Sequence, residues 1–126
     1  MVIITAYVAR HELKPLRKYF TIDDILTGAE KVIKKLATEV KPPTSLEGCR
    51  FFKVRIGKRQ SGRMIVFFIV SNQKVVPLLI RLKKDKIFGM NMATNNPQVV
   101  EQLKRNLDRV LEDIEKKRFE ELWNKI

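Results

Sequence analysis

Residues 49–86 read CRFFKVRIGKRQSGRMIVFFIVSNQKVVPLLIRLKKDK, and this stretch decides the fold. It holds three strand-like runs, at 50–57, 63–71 and 75–83, each rich in β-branched and aromatic residues. Between the first two lies Lys58-Arg-Gln-Ser-Gly62, a length and composition suited to a hairpin loop, and between the last two lies Asn72-Gln73, where positive φ is expected at Asn72. An antiparallel β-meander follows. The middle run, Met64 to Val70, is apolar at every position while its neighbours alternate, which predicts a central strand covered on both faces. Pro77 can donate no ladder hydrogen bond, so it marks a solvent-facing side or a bulge.

Outward from the meander, Val2 to Val8 predicts a first strand, and residues 10–20, interrupted by Pro15, predict a short helix or turn. Thr21 with Asp24 three residues on has the form of a capping box, and Ile25, Ala29, Val32, Ile33, Leu36 and Val40 continue at helical spacing until Pro42-Pro43. Leu46-Glu-Gly48 is a turn. Asn95-Asn96-Pro97 starts a last helix, with an Asn cap ahead of Pro in the first turn and a core stripe of Val100, Leu103, Leu107, Val110 and Ile114. The expectation is a single α+β domain over 1–126, its meander packed by an N-terminal and a C-terminal helix.

Charge gives the second reading. The chain of 126 residues carries 26 Lys+Arg against 14 Asp+Glu, a formal charge of +12. Residues 49–90 hold eleven of those bases against Asp85 alone, while the flanks are close to balanced. Such a local excess repels itself unless a polyanion neutralises it, and it is the footprint of nucleic-acid-binding proteins. A solvated sheet face that uses Lys and Arg as edge protection is the alternative, although edge protection mixes signs. Side chains two apart share a face of a strand. On that rule Lys53, Arg55, Arg81 and Lys83 gather opposite the helix-packed face, with Lys58, Arg59 and Arg63 at the hairpin loop and Lys84 and Lys86 past the third strand. Phe51 falls on the side of Lys53 and Arg55, where it could stack on a base.

One Cys and one His exclude an internal disulfide and a zinc finger, and no cofactor or metal is called for. His11 reads as a surface residue. No apolar run approaches the ~20 residues of a membrane helix, and no signal peptide opens the chain, so a cytoplasmic protein with no membrane contact is expected.

In order and spacing, Gly48-Cys-Arg50, Lys53-Val-Arg-Ile-Gly57, Ser61-Gly-Arg63 and Leu78 to Lys86 resemble the RelE/ParE superfamily of toxins from type II toxin-antitoxin systems, in particular its HigB-like branch. The resemblance covers residues 43–88, and residues 89–126 extend beyond the family's short ending as an added helix. It implies a metal-independent endoribonuclease that cuts mRNA at the ribosome and is held inactive by a cognate antitoxin. The 2′-hydroxyl would attack the adjacent phosphate, with Arg55 and Arg63 stabilising the phosphate and Lys53, Arg81, Lys83 or Lys84 moving protons. Arg50, Phe51, Lys58, Arg59, Lys84 and Lys86 would bind the RNA strand. Where family nucleases carry a late Tyr or His, this sequence has Phe88, no Tyr after Tyr19 and no His after His11. That departure keeps a non-catalytic alternative, a RelE/ParE-like protein that binds nucleic acid, ribosome or gyrase without cleaving. A third reading is a basic domain whose partner is an acidic protein.

Overall fold

The computed structural model describes residues 1–88 and 96–123. Strand β1 (Val2–Thr5) leads into a helical segment at residues 6–16, which begins as α1 (Ala6–Val8) and continues through a π-helical turn (Ala9–Leu13) and a 3-10 turn (Lys14–Leu16). Helix α2 (Ile22–Ile33) and strands β2 (Thr38–Val40), β3 (Cys49–Ile56), β4 (Gly62–Ile69) and β5 (Lys74–Leu82) follow, then helix α3 (Pro97–Glu115) and strand β6 (Phe119–Leu122). The class is mixed α+β, as expected. Among the described residues, no helix is long and apolar enough to cross a membrane.

The expected meander forms as β3–β4–β5 and is the centre of a larger sheet with the order β2-β3-β4-β5-β1-β6. All neighbours are antiparallel except β1 and β5, which run parallel. Pro77 sits where the β4–β5 register shifts between Ile65 and Val66, the bulge that its missing N–H requires. In the 72–73 turn the positive φ belongs to Gln73 (56°) rather than Asn72, whose side chain instead accepts from the Lys74 N–H at 3.2 Å.

The two long helices cover opposite faces of the sheet. Ile25, Ala29 and Val32 of α2 pack with Val54, Ile56, Met64, Val66 and Ile80, while Val99, Leu103, Leu107 and Val110 of α3 pack with Phe51, Ile65, Phe67 and Leu79. Alternation along β4 feeds both cores, so residues 62–67 are buried without a break. This corrects the expectation of one helix-packed face and one open basic face: Phe51, on the same side as Lys53 and Arg55, is 1% exposed with its ring 5.9 Å from that of Phe67, and cannot stack on a base.

Local signals hold at the helix starts and fail at one end. Thr21 and Asp24 form the complete capping box, and Asn96 caps α3 through the Gln98 N–H at 2.9 Å. Asn95 lies outside the described residues. Helix α2 stops at Ile33, however, because Lys35 turns to φ 62° and Leu36 N–H closes back on Lys31 O at 2.8 Å; Val40 then belongs to β2, not to the helix. Strand β6 has no counterpart in the sequence reading; it pairs with β1 from Val2↔Leu122 to Thr5↔Phe119.

Gly28 lets α2 approach β3 and β4. A Cβ there would meet Ile56 Cγ2 at 2.5 Å and Met64 Cε at 3.0 Å. Gly28→Ala is expected to destabilise the chain by about 1–3 kcal/mol despite Ala's better helix propensity, read as a lower urea midpoint with unchanged slope.

Candidate nucleic-acid interface

Register places Arg55, Arg63 and Arg81 side by side, as direct cross-strand partners on β3, β4 and β5. Like charges opposite one another are destabilising, so each guanidinium must find its own relief. Arg63 is 7% exposed and donates to the Gln60 carbonyl at 2.7 Å and the Gly62 carbonyl at 3.0 Å. Burial, and after it the Arg55 charge, lowers its pKa from the usual arginine value. Arg55 is exposed and donates to Gln60 Oε1 at 3.2 Å.

Arg81 has a different role from the one expected of it. Its Nη1 donates to Glu12 Oε1, and its guanidinium carbon lies 4.9 Å from the Phe88 ring centroid. Glu12 is 2% exposed and also accepts from the Ile80 N–H at 2.7 Å and from Asn106 Nδ2 at 3.3 Å. The pair therefore ties the first helical segment to β5 and α3, and Arg81 is committed to the fold. Burial pushes the Glu12 carboxyl up from its ordinary value of 4.5, against the pull of the Arg81 charge, the Ile80 N–H and Asn106.

The remaining expected residues scatter. Lys53 is half-buried on β3; Lys58 and Arg59 are exposed in the hairpin loop, where Arg59 has φ 56°. Lys83 and Lys86 are exposed past β5, with the Lys83 N–H donating to Ser61 O at 2.7 Å, and Lys84 Nζ lies 5.7 Å from the centroid of the Tyr19 ring. Arg50 is on the other face of β3, held by Glu39 through two hydrogen bonds, that from its Nε being 2.9 Å long, and lying over Phe52. It does not join the group.

What the fold does bring together is a cleft of about 350 Å³ at the free edge of β3, lined by Lys31, Thr38, Lys53, Arg55, Gln60 and Arg63 with Leu36 and Val54. Strand β2 pairs only with Phe51 to Lys53, which leaves the backbone at 54–56 without a strand on that side. Lys31, from α2, donates Nζ to the exposed Arg55 carbonyl at 2.8 Å and so enters the cleft. Among the described residues lining it there are four cations and no carboxylate. Thr38 and Gln60 are its remaining polar side chains, so its donors suit an anion. Lys31 and Gln60 were missed by the sequence reading. Gln60 stands within the quoted hairpin loop, whereas nothing in the sequence pairs Lys31 with a residue 24 positions away.

Asn106 was legible in principle: it interrupts the apolar stripe of α3 between Leu103 and Leu107, and a polar residue there must find buried partners. Among the described residues, no group of three or more His, Cys, Asp or Glu side chains could hold a metal ion. Compared with known proteins, the chain matches no family model, no curated protein and no solved structure.

Removing Arg81 strands the buried Glu12, so Arg81→Ala is expected to cost about 3–5 kcal/mol in denaturant unfolding, against less than about 1 kcal/mol for the exposed Arg55→Ala. Because the folded pKa of Glu12 lies above the unfolded one, the stability tied to that group is fully present below about pH 4.5 and is lost as pH rises through the raised value. Glu12→Gln is expected to abolish that decline when unfolding is followed against pH; an identical slope in both proteins would contradict it.

Proposed function

We propose that the chain is a RelE/ParE-like toxin of the HigB-like branch that acts on RNA as a metal-independent mRNA endoribonuclease at the ribosome, with a cognate antitoxin as its protein partner. The observation that supports this reading is the acid-free cleft at the β3 edge, where Lys31, Lys53, Arg55 and Arg63 surround a space of about 350 Å³. A phosphodiester seated there relieves the repulsion between Arg55 and Arg63 and replaces solvent with fixed donors. In the reaction, O2′ of the nucleotide bonds to phosphorus as the P–O5′ bond breaks. The 2′-hydroxyl proton leaves to a base, O5′ receives a proton, and the products are a 2′,3′-cyclic phosphate and a 5′-hydroxyl end. Arg55 would neutralise the charge that develops on the non-bridging oxygens, with Lys53 beside it, and Lys58, Arg59, Lys83, Lys84 and Lys86 would track the strand on either side.

A second reading keeps the RNA or ribosome contact and drops the cleavage, and the same cleft supplies the reason: no imidazole or phenol lines it among the described residues. Cleavage of labelled mRNA, with and without translating ribosomes, separates the two. The nuclease reading expects new 5′-hydroxyl ends with the parent chain and a loss of about 10²–10³ in rate for Arg55→Ala, typical of removing one donor to a developing anion. Binding without cuts under both conditions would select the second reading. Undiminished cleavage by an Arg55→Ala/Lys53→Ala chain would remove the chemistry from this cleft.

A further inference from the structure

A second and larger cleft, of about 590 Å³, opens between the first helical segment and α3. Tyr7 and His11, one helical turn apart, lie in it with ring centroids 4.6 Å apart and planes tilted by 36°. The Tyr7 hydroxyl donates to Asn106 Oδ1 at 3.0 Å, and Asn106 is itself anchored on Leu78 O at 2.8 Å, so the tyrosine ring has a fixed orientation while the His11 ring is exposed. Two adjoining rings, one pinned and one open, make a surface on which a planar group stacks.

Arginines surround these rings. Arg10 comes from the first helical segment, Arg105 and Arg109 stand one turn apart on α3, and Arg118 follows that helix. Arg118 is held by Asp113 at 2.9 Å and Glu112 at 3.4 Å, and Arg105 makes an exposed pair with Glu101 at 3.2 Å. Among the described residues, neither Arg10 nor Arg109 makes an ion pair. The two carboxylates in the cleft are already engaged: Asp113 also accepts from the Tyr7 N–H at 2.8 Å, and Glu112 also from Lys116 at 3.1 Å. Two uncommitted guanidinium groups on facing elements, beside adjoining rings, match a ligand that joins an anion to a flat ring.

We propose that this cleft is a nucleoside-phosphate site, with the phosphate between Arg10 and Arg109 and the base against His11 and Tyr7. Its size is ample for one nucleotide, since small-ligand pockets run to about 300–1,000 Å³. The nucleotide arrives free or as one unit of an RNA strand; only the second source rests on the RNA-directed reading above.

The test titrates the full chain with adenosine 5′-monophosphate, with inorganic phosphate and with a fluorescein-labelled oligoadenylate RNA. The monophosphate is expected to bind at least about tenfold more tightly than inorganic phosphate, the increment of one stacked base. Arg10→Ala/Arg109→Ala, both exposed and outside the core, is expected to weaken it by about tenfold or more for the loss of charge-assisted bonds. His11→Ala is expected to weaken the monophosphate and leave inorganic phosphate unchanged. Weaker binding of the oligonucleotide by Arg10→Ala/Arg109→Ala marks the strand as the source; unchanged binding of it beside lost monophosphate marks the free nucleotide. Monophosphate binding without oligonucleotide binding supports the site and counts against the RNA-directed reading. Equal affinity for the monophosphate and inorganic phosphate, or full monophosphate binding by a correctly folded Arg10→Ala/Arg109→Ala chain, would overturn the proposal.

Discussion

Glu12 is the polar joint of this fold. A carboxylate taken from water costs several kcal/mol unless its oxygens are fully engaged, and here β5 supplies the Ile80 N–H and Arg81 while α3 supplies Asn106. The first helical segment is therefore fixed against the sheet and against the helix on its far face by one side chain. Asn106 extends the same network to Leu78 O and the Tyr7 hydroxyl. Breaking it leaves buried polar groups on three elements at once, which apolar packing nearby cannot satisfy.

That joint also divides the positive charge of the middle third into two kinds. Arg81 is spent on Glu12 and Arg63 on backbone carbonyls of the 58–62 loop, so both hold structure before they can hold anything else. Arg50 is spent on Glu39. At the β3 edge Lys31 and Arg55 enter one cleft from helix and strand, while Lys58, Arg59, Lys83 and Lys86 stay exposed away from it. A charge excess read from sequence overstates the binding surface because it cannot tell a guanidinium that closes a network from one that faces solvent.

The meander, its central strand and the bulge at Pro77 were legible because each follows from period-two alternation or from a missing N–H. The caps at Thr21 and Asn96 were legible for the same local reason. What was not legible came from distance in the chain. The unbroken apolar run of β4 showed that both its faces are covered, but not that α3 covers Phe51, Phe67 and Leu79 on the face opposite α2. The end of α2 at Ile33 depended on a left-handed Lys35, a residue with no marked preference for that conformation. Strand β6 is a four-residue edge with two glutamates, whose only signal is its partner β1. Lys31 became part of the candidate site through a backbone edge that exists only once β2 has stopped short.

The proposal that the cations at the β3 edge hold an RNA phosphate is met most directly by titrating the isotope-labelled chain with a short single-stranded RNA and following backbone amide shifts. The account predicts large, salt-sensitive shifts at Lys31 and across Lys53 to Gln60, with Arg50, bound by Glu39, left in place. Amides of the β3 edge that stay unmoved at saturating RNA would contradict it.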